Sequence, residues 1–225
     1  VYRNAHSLNL NDVQGFGKDK PFLKVCFGIA ACGIMGIPGF NGYVSKTLLH
    51  EGIVERIHLV SETALPFRLV EVIFLVSGGF TVAYMTKLFV CLFVKEPNKP
   101  MDENKPYVKT KTKIVLGIVS ATILVLGLTP NFTMDKIAAS CAEFMGVEPL
   151  GEAINYFSFA NLKGALISIS IGAILYIAFV RTLLCSAKKG YVNPYNKEWT
   201  IENKIFRPVL FTILPFIGGL VSRVF

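Results

Sequence analysis

The sequence predicts an all-α membrane protein with several membrane-spanning helices, one of which is discontinuous. Hydrophobic residues make up 52% of the 225-residue chain and the mean hydropathy is +0.53, as is typical of a membrane protein. Uncharged runs long enough to cross about 30 Å of hydrocarbon recur along the chain. The first, residues 25–45, contains a Pro/Gly cluster and is followed directly by a lysine, which predicts a helix that breaks inside the membrane.

The first two predicted spans lie near the start of the chain. A polar loop over residues 1–20 leads to Pro21, a favourable first-turn residue, and the discontinuous helix is predicted over 21–59. Pro66 precedes the second span, which is predicted over 67–94. We expect the first element to run outward and the second to return inward.

Two further spans are predicted after a Lys/Pro/Asn-rich loop. They cover 114–130 and about 162–184, and a short surface helix is expected between them over Lys136 to Met145. Residues 198–225 form a helical candidate interrupted by Pro208 and Pro215. This amphipathic tail either lies on the membrane surface or begins another span, and the two alternatives remain open.

The net charge of +8 is concentrated in alternate loops. Segments 1–24, 95–113 and 181–207 are rich in lysine and arginine, whereas 47–71 and 135–163 are poor in them. This alternation argues against a nucleic-acid-binding protein and predicts a multi-pass protein of the inner (plasma) membrane. Under the positive-inside rule, the basic loops are cytoplasmic.

Lys46 is the candidate functional residue with the strongest physical argument. A charge inside the membrane costs at least about 2.5–3.5 kcal/mol, so such a residue usually has a use. Pro38, Gly39 and Gly42 break the helix beside it, where backbone and side chain can meet an ion or water. Between the ends of two half-helices, the lysine could gain or lose a proton as neighbouring charges change. The alternative is a lysine that snorkels to the interface.

Two histidines follow Lys46 on one helical face. His50 lies four residues on and can pass a proton between waters, so we predict an outward relay residue. The alternative for His50 is a hydrogen-bonded histidine on the helix surface. His58, two turns further along, is expected to be simply exposed.

The second span carries a polar stripe that ends at Lys87. This residue is predicted either to contribute to a hydrated path from the cytoplasmic side or to snorkel to that interface. Gly78 and Gly79 beside the stripe are expected to permit close approach of another helix. Glu71, near the start of the span, is expected to form a surface ion pair with Arg68. The stripe consists of Ser77, Thr81, Tyr84 and Lys87.

No catalytic, metal or cofactor site is predicted. The five cysteines show no CxxC or Cys/His pattern, which favours structural thiols. A Ser/His/Asp arrangement and a phosphate-binding loop are also lacking in the sequence. A membrane-embedded enzyme is therefore the least favoured class of function.

The string Gly36-Ile37-Pro38-Gly39-Phe40-Asn41-Gly42-Tyr43-Val44-Ser45-Lys46 resembles the proton-conducting antiporter-like membrane subunits. This superfamily is shared by respiratory complex I, Mrp-type cation/proton antiporters and energy-converting hydrogenases. Further matching residues are Gly15-Phe16-Gly17, Tyr84 to Phe89, Asn193-Pro194-Tyr195, Trp199 and Phe206-Arg207-Pro208. The match is specific over residues 1–95 and looser beyond.

The resemblance implies a role for each part of the chain. In the family, two inverted five-helix units each contain a discontinuous helix with an embedded lysine or glutamate, and Lys46 matches that position in the second unit. Residues 1–95 would end this unit, and 96–225 would add a cytoplasmic loop, two spans and the tail. The missing N-terminal helices would belong to the same chain, of which this is the C-terminal portion, or to another. Other membrane subunits and the lipid bilayer are the implied partners.

The resemblance also implies the function. It indicates part of a proton or cation/proton translocating subunit of a respiratory or hydrogenase-type complex, with Lys46, His50 and Lys87 in the relay. Such a chain would serve a redox-driven complex without a catalytic site of its own. The alternative is a non-conducting scaffold that holds partner subunits together. Whether H⁺ alone or also Na⁺ is transported remains open.

Overall fold

The computed structural model describes residues 6–7, 9–60, 64–98, 107–146, 154–186, 190–192 and 202–216. The chain divides into two compact units, residues 1–182 and residues 183–225, which are described separately. Helices dominate both, with one short pair of strands among the described residues. The predicted all-α membrane fold is therefore confirmed.

The first unit contains six α-helices within its described part. The three that are long and apolar enough to cross a membrane are α3, α4 and α6, the last counted with its π-helical continuation Tyr176–Arg181. Helix α1 has 15 residues and is too short to span on its own. The helices are α1 (Pro21–Met35), α2 (Asn41–Leu59), α3 (Leu65–Phe93), α4 (Thr110–Leu128), α5 (Met134–Phe144) and α6 (Phe159–Leu175).

Helices α1 and α2 together form the predicted discontinuous helix. The break covers residues 36–40, and α1 begins with Pro21 in its first turn, as expected. Helix α3 begins at Leu65, two residues before the predicted start, because Pro66 lies in its first turn and needs no amide partner there. The sequence thus located each of these helices to within a few residues.

Small residues bring α3 and α6 close together. A Cβ atom added at Gly172 on α6 would stand 2.7 Å from the carbonyl oxygen of Gly79, and one added at Gly78 would stand 2.8 Å from the Ser168 hydroxyl. Ser168 in turn donates to the carbonyl of Leu75 at 3.1 Å. The predicted close approach at Gly78 and Gly79 is therefore confirmed, and α6 is the partner helix.

The segment before α1 is packed, although it was expected to be a polar loop. Val13 and Phe16 are buried against Leu92 and Phe93 at the end of α3. The loop is held there because its backbone N–H groups satisfy carbonyls that the end of a helix leaves without intrahelical partners. Because most side chains of this segment are polar, the sequence did not predict that it packs against α3.

A second cluster lies at the other end of these helices. Tyr43 and Val44 of α2 are buried with Tyr156, which precedes α6. The Tyr43 hydroxyl donates to the backbone carbonyl of Tyr156, and the Tyr156 hydroxyl donates to the carboxylate of Asp135 on α5. Helix α5 is the surface helix predicted near Lys136 to Met145. These contacts attach α2 to the segment between α4 and α6.

The second unit contains a two-residue antiparallel pair of strands, Cys185–Ser186 with Gly190–Tyr191, and a helical stretch. The stretch consists of π-helices Glu202–Phe206 and Val209–Ile213, joined by helical Arg207 and Pro208. The predicted interruptions at Pro208 and Pro215 are wrong, because both residues lie within the helical stretch. Pro208 caps the second π-helix, where its missing N–H is tolerated. Asn193, Pro194, Tyr195 and Trp199 lie outside the described residues.

Candidate functional site at the helix break

The end of α1 has a defined hydrogen-bonding pattern. Gly36 adopts a left-handed conformation with φ of 77°, its N–H donates to the carbonyl of Gly33 at 3.1 Å, and the N–H of Ile37 donates to the carbonyl of Cys32 at 3.1 Å. This is the Schellman arrangement, which satisfies two of the last four carbonyls of a helix. The carbonyls of Ile34 and Met35 are left to other donors.

Lys46 supplies these donors. Its ammonium nitrogen lies 3.1 Å from the carbonyl oxygen of Ile34 and 3.0 Å from that of Met35. The side chain starts in the second turn of α2, so it reaches back across the break to the end of α1. A cation is favoured there, because the C-terminus of a helix carries partial negative charge. Lys46 therefore holds the two half-helices together.

Glycines make room for this contact. A Cβ atom at Gly36 would stand 2.7 Å from Cδ of Lys46, and one at Gly42 would stand 1.9 Å from the carbonyl oxygen of Gly33. Pro38 and Gly39 lie within the break, where Gly39 has φ of 91°. The break is also covered from α4, because a Cβ at Gly127 would stand 2.4 Å from the carbonyl oxygen of Gly39.

Lys46 opens onto a cavity between α2, α3 and α6. The cavity is partly open and has a volume of about 30 Å³, enough for about one or two water molecules. Its walls combine apolar groups such as Met35 and Leu75 with polar groups that can hold water. The polar lining consists of Tyr43, Lys46, Thr47, His50, Asn161 and Ser168.

His50 lies in the same cavity, one turn beyond Lys46. Its Nε2 atom is 3.2 Å from Oε1 of Glu71 on α3, and its ring stacks on Phe74 with 6.0 Å between centroids and 16° between planes. The expected pairing of Glu71 with Arg68 is therefore replaced by pairing with His50. Sequence reasoning missed this contact because it connects two helices. In an antiparallel hairpin, residues at similar distances from the turn face each other, and that rule could have found it.

The structure brings together Lys46 and His50 but not Lys87. Lys87 is half-buried on α3 and does not line the cavity. In the polar stripe, Ser77 and Tyr84 are exposed, and the Thr81 hydroxyl donates to the carbonyl of Ser77 in its own helix at 3.0 Å. His58 is exposed, as expected.

The described part of the chain contains five cysteine thiols and no cluster of metal-binding side chains. Those residues include no group of three or more His, Cys, Asp or Glu side chains that could hold a metal ion. The five cysteines all lie there and remain thiols. Outside the membrane spans, burial and the Asp135 carboxylate raise the pKa of the Tyr156 phenol, so that it stays a neutral hydrogen-bond donor.

Comparison with known proteins relates the break to a family. Residues 1–68 match the family described as "NADH:quinone oxidoreductase/Mrp antiporter, TM". The matched range contains the loop before α1 that packs against the end of α3 (the docked loop), α1, the break and all of α2. It ends in the first turn of α3. Every residue of the Lys46 contact therefore lies inside it.

Curated relatives share a larger part of the chain at low identity. NAD(P)H-quinone oxidoreductase chain 4 2 of Synechococcus sp. (strain JA-2-3B'a(2-13)) is 26% identical over 130 residues, which are 57% of this chain and 23% of the relative. NADH-quinone oxidoreductase subunit N 1 of Symbiobacterium thermophilum is 26% identical over 137 residues, 59% and 26% of the two proteins. Putative antiporter subunit mnhD2 of Staphylococcus haemolyticus is 26% identical over 121 residues, 54% and 22%.

The chain thus spans about a quarter of the length of these relatives. No solved structure matches it significantly. The relatives are named as chains or subunits of quinone oxidoreductases and of an antiporter, the protein types that the motif predicted. The resemblance is therefore confirmed, and the part of the chain that matches the NADH:quinone oxidoreductase/Mrp antiporter transmembrane family is the first 68 residues, which carry the break and Lys46.

Proposed function

We propose that the chain is part of a membrane subunit that translocates protons, or cations together with protons, in a respiratory or hydrogenase-type complex. Lys46 is the protonatable centre and His50 the outward relay. The observation that carries the proposal is the position of Lys46. Its ammonium group is held at the break by the carbonyls of Ile34 and Met35 and faces a cavity that His50 also lines.

The geometry supports proton exchange at Lys46. The charged form gains from the two carbonyls and the helix C-terminus, whereas the surrounding membrane disfavours charge. These opposing effects leave a balance that a neighbouring charge can change. The side chains of Lys46 and His50, four residues apart on one helix, start about 5–6 Å from each other. Water in the cavity between them can carry a proton from the Lys46 ammonium to the His50 imidazole, which leaves a neutral amine.

We also propose a direction of proton movement and a place for the chain within a larger assembly. With the basic loops on the cytoplasmic side of the inner (plasma) membrane, α2 runs outward and His50 lies outward of Lys46. Lys87 would then act on the cytoplasmic side, outside the cavity. Residues 1–95 would form the end of an antiporter-like unit and 96–225 an addition to it. Other membrane subunits, and helices of this or another chain, would supply the inward part of the path and the redox or exchange chemistry.

The same contact supports a second function. Two hydrogen bonds to helix-end carbonyls also make Lys46 a helix cap, which would suit a non-conducting scaffold. In that case the lysine needs to donate but not to titrate. The scaffold predicts that truncation at Asn193 dissociates the complex while replacement of Lys46 spares transport.

Two substitutions separate relay from cap. Lys46→Arg keeps the charge and the donors but cannot release a proton, and Lys46→Gln keeps N–H donors but cannot take one up. Proton pumping is measured in vesicles that contain the full assembly. Lys24→Gln, in the first turn of α1, is the matched control. We expect both Lys46 variants to assemble and to lose at least tenfold in pumping, whereas the control pumps normally. Normal pumping by Lys46→Arg would overturn the relay and support the cap.

A further inference from the structure

We infer that Glu71 is the outward proton acceptor of this site and receives the proton that His50 releases. The inference rests on the proposed function, because it extends the path from Lys46 by one residue. It assigns a role to a carboxylate on α3. The stripe of polar residues on the same helix does not line the cavity.

The contact is direct and the exposure increases toward Glu71. His50 Nε2 and Glu71 Oε1 are 3.2 Å apart, within hydrogen-bonding distance. The His50 side chain is 17% exposed and that of Glu71 is 30% exposed. A proton that moves from imidazole to carboxylate therefore moves from the cavity wall toward the surface of the chain. A carboxylate at this position can pass the proton to water outside.

His50 is held in one orientation. Phe74 stacks on one face of the ring, and Gly164 of α6 lies beside it, where a Cβ atom would stand 3.4 Å from Cε1 and 3.5 Å from Nδ1. Gly164 and Phe74 both line the cavity. Since Nε2 is taken up by Glu71, Nδ1 is the ring nitrogen of His50 that is left for the cavity. The two ring nitrogens connect the two sides of a proton transfer.

The transfer balances as a sequence of proton movements. Neutral His50, with its proton on Nε2, accepts a proton at Nδ1 from a cavity water that Lys46 has protonated, and becomes an imidazolium. The imidazolium then gives the Nε2 proton to the Glu71 carboxylate, which becomes a neutral carboxylic acid. Glu71 releases that proton to external water and is a carboxylate again. His50 returns to its first tautomer by proton exchange through water, and no electron changes place.

A structural ion pair is the competing interpretation of the contact. Such pairs contribute little when exposed, and they require charge and hydrogen bonding but no titration. The variant Glu71→Gln separates the two roles, because the amide oxygen can still accept from His50 while the group can no longer take up a proton. Glu71→Asp keeps the titratable group on a shorter side chain. Glu55→Gln is the matched control, since Glu55 is exposed on α2.

The experiment measures pumping in vesicles that contain the full assembly with each variant, normalised to the amount of assembled complex. We expect Glu71→Gln to lose at least fivefold, Glu71→Asp to retain more activity than Glu71→Gln, and Glu55→Gln to pump normally. Normal pumping by Glu71→Gln would overturn the inference. So would equal losses in Glu71→Gln and Glu55→Gln, because the effect would then belong to surface charge.

Failure of this inference can be told apart from failure of the proposed function. If the Lys46 variants lose pumping while Glu71→Gln keeps it, the proposed function stands and the proton leaves His50 by another route. If Lys46→Arg pumps normally, the proposed function fails first, and the inference about Glu71 fails with it.

Discussion

The C-terminal ends of α1 and α3 present the same physical problem and solve it differently. The carbonyls of Cys91 and Leu92 near the end of α3 accept hydrogen bonds from the backbone N–H groups of Gly15 and Gly17, at 2.9 and 2.8 Å. The carbonyls of Ile34 and Met35 at the end of α1 accept hydrogen bonds from the ammonium group of Lys46. One end is satisfied by neutral backbone, the other by a titratable charge.

This difference shows what capping alone requires. The docked loop proves that the chain can satisfy helix-end carbonyls without placing a charge among membrane helices. A lysine at the α1 end is therefore more than capping needs, and its cost in the membrane argues for a further use. Four substitutions test this difference between the two helix ends.

Gly15→Ala should have the largest effect, because it disrupts the end of α3, where backbone N–H groups satisfy the carbonyls. Gly15 has φ of 72°, and a Cβ atom would stand 2.5 Å from the backbone nitrogen of Pro97. Backbone strain of about 1–2 kcal/mol and overpacking of about 1–3 kcal/mol should add, lowering the yield of assembled complex. Gly146→Ala is the control, with φ of 69° but nothing within 4 Å of the added Cβ. Equal yields on native gels for the two variants would contradict the docked loop.

Gly42→Ala should disrupt the contact of α2 with the end of α1, where Lys46 donates to the carbonyls. The added Cβ would stand 1.9 Å from the backbone oxygen of Gly33, so the half-helices must separate, at a cost of about 2–3 kcal/mol. Gly52→Ala on the same helix meets nothing within 4 Å. It should instead stabilise by roughly 0.5–1 kcal/mol. Thermal unfolding of the purified assembly measures both, and similar melting temperatures would show that the half-helices are not in contact at Gly42.

Gln14→Leu should have a smaller effect on the loop that is packed against the end of α3. The Gln14 side chain donates to the carbonyl of Glu96 at 2.7 Å and to Oδ1 of Asn98 at 2.9 Å. Its loss should cost about 1–2 kcal/mol and lower the melting temperature. Pumping per assembled complex should not change, because no titratable group is involved. A selective loss of pumping would show that this end, too, has a role in transport.

Tyr156→Phe should have the smallest effect and a characteristic pH dependence. The hydroxyl bond to Asp135 is worth about 1 kcal/mol. Since the folded pKa of Tyr156 is raised, this contribution is complete below the unfolded pKa of about 10 and is lost as the pH rises through the folded value. The difference in melting temperature between wild type and variant should stay constant from about pH 6 to about pH 9 and shrink in stronger alkali. A difference that grows with pH would contradict this assignment.

The sequence predicted what depends on local signals. Pro38 and the glycines around it marked the break, and the four-residue spacing put Lys46 and His50 on one face. The contact of His50 with Glu71 depends on the register of α2 against α3, which no motif within either helix encodes and which only a comparison of distances from the turn could have indicated. Gly15 and Gly17 contact the end of α3 through their backbone N–H groups. Because no side chain takes part, the pattern of side chains in the sequence could not predict this contact.

The attachment of α2 through Tyr43 and Tyr156 has a mechanical consequence. The bonds of Tyr43 to Tyr156 and of Tyr156 to Asp135 fix the start of α2 to the segment between α4 and α6, so a change in the contact at Lys46 is taken up where α1 meets α2. A neutral amine keeps N–H donors but loses the attraction to the end of α1. Proton occupancy of Lys46 and the separation of the half-helices are then thermodynamically linked, so that each must respond to the other. The break would act as a hinge whose angle reports whether the lysine is charged.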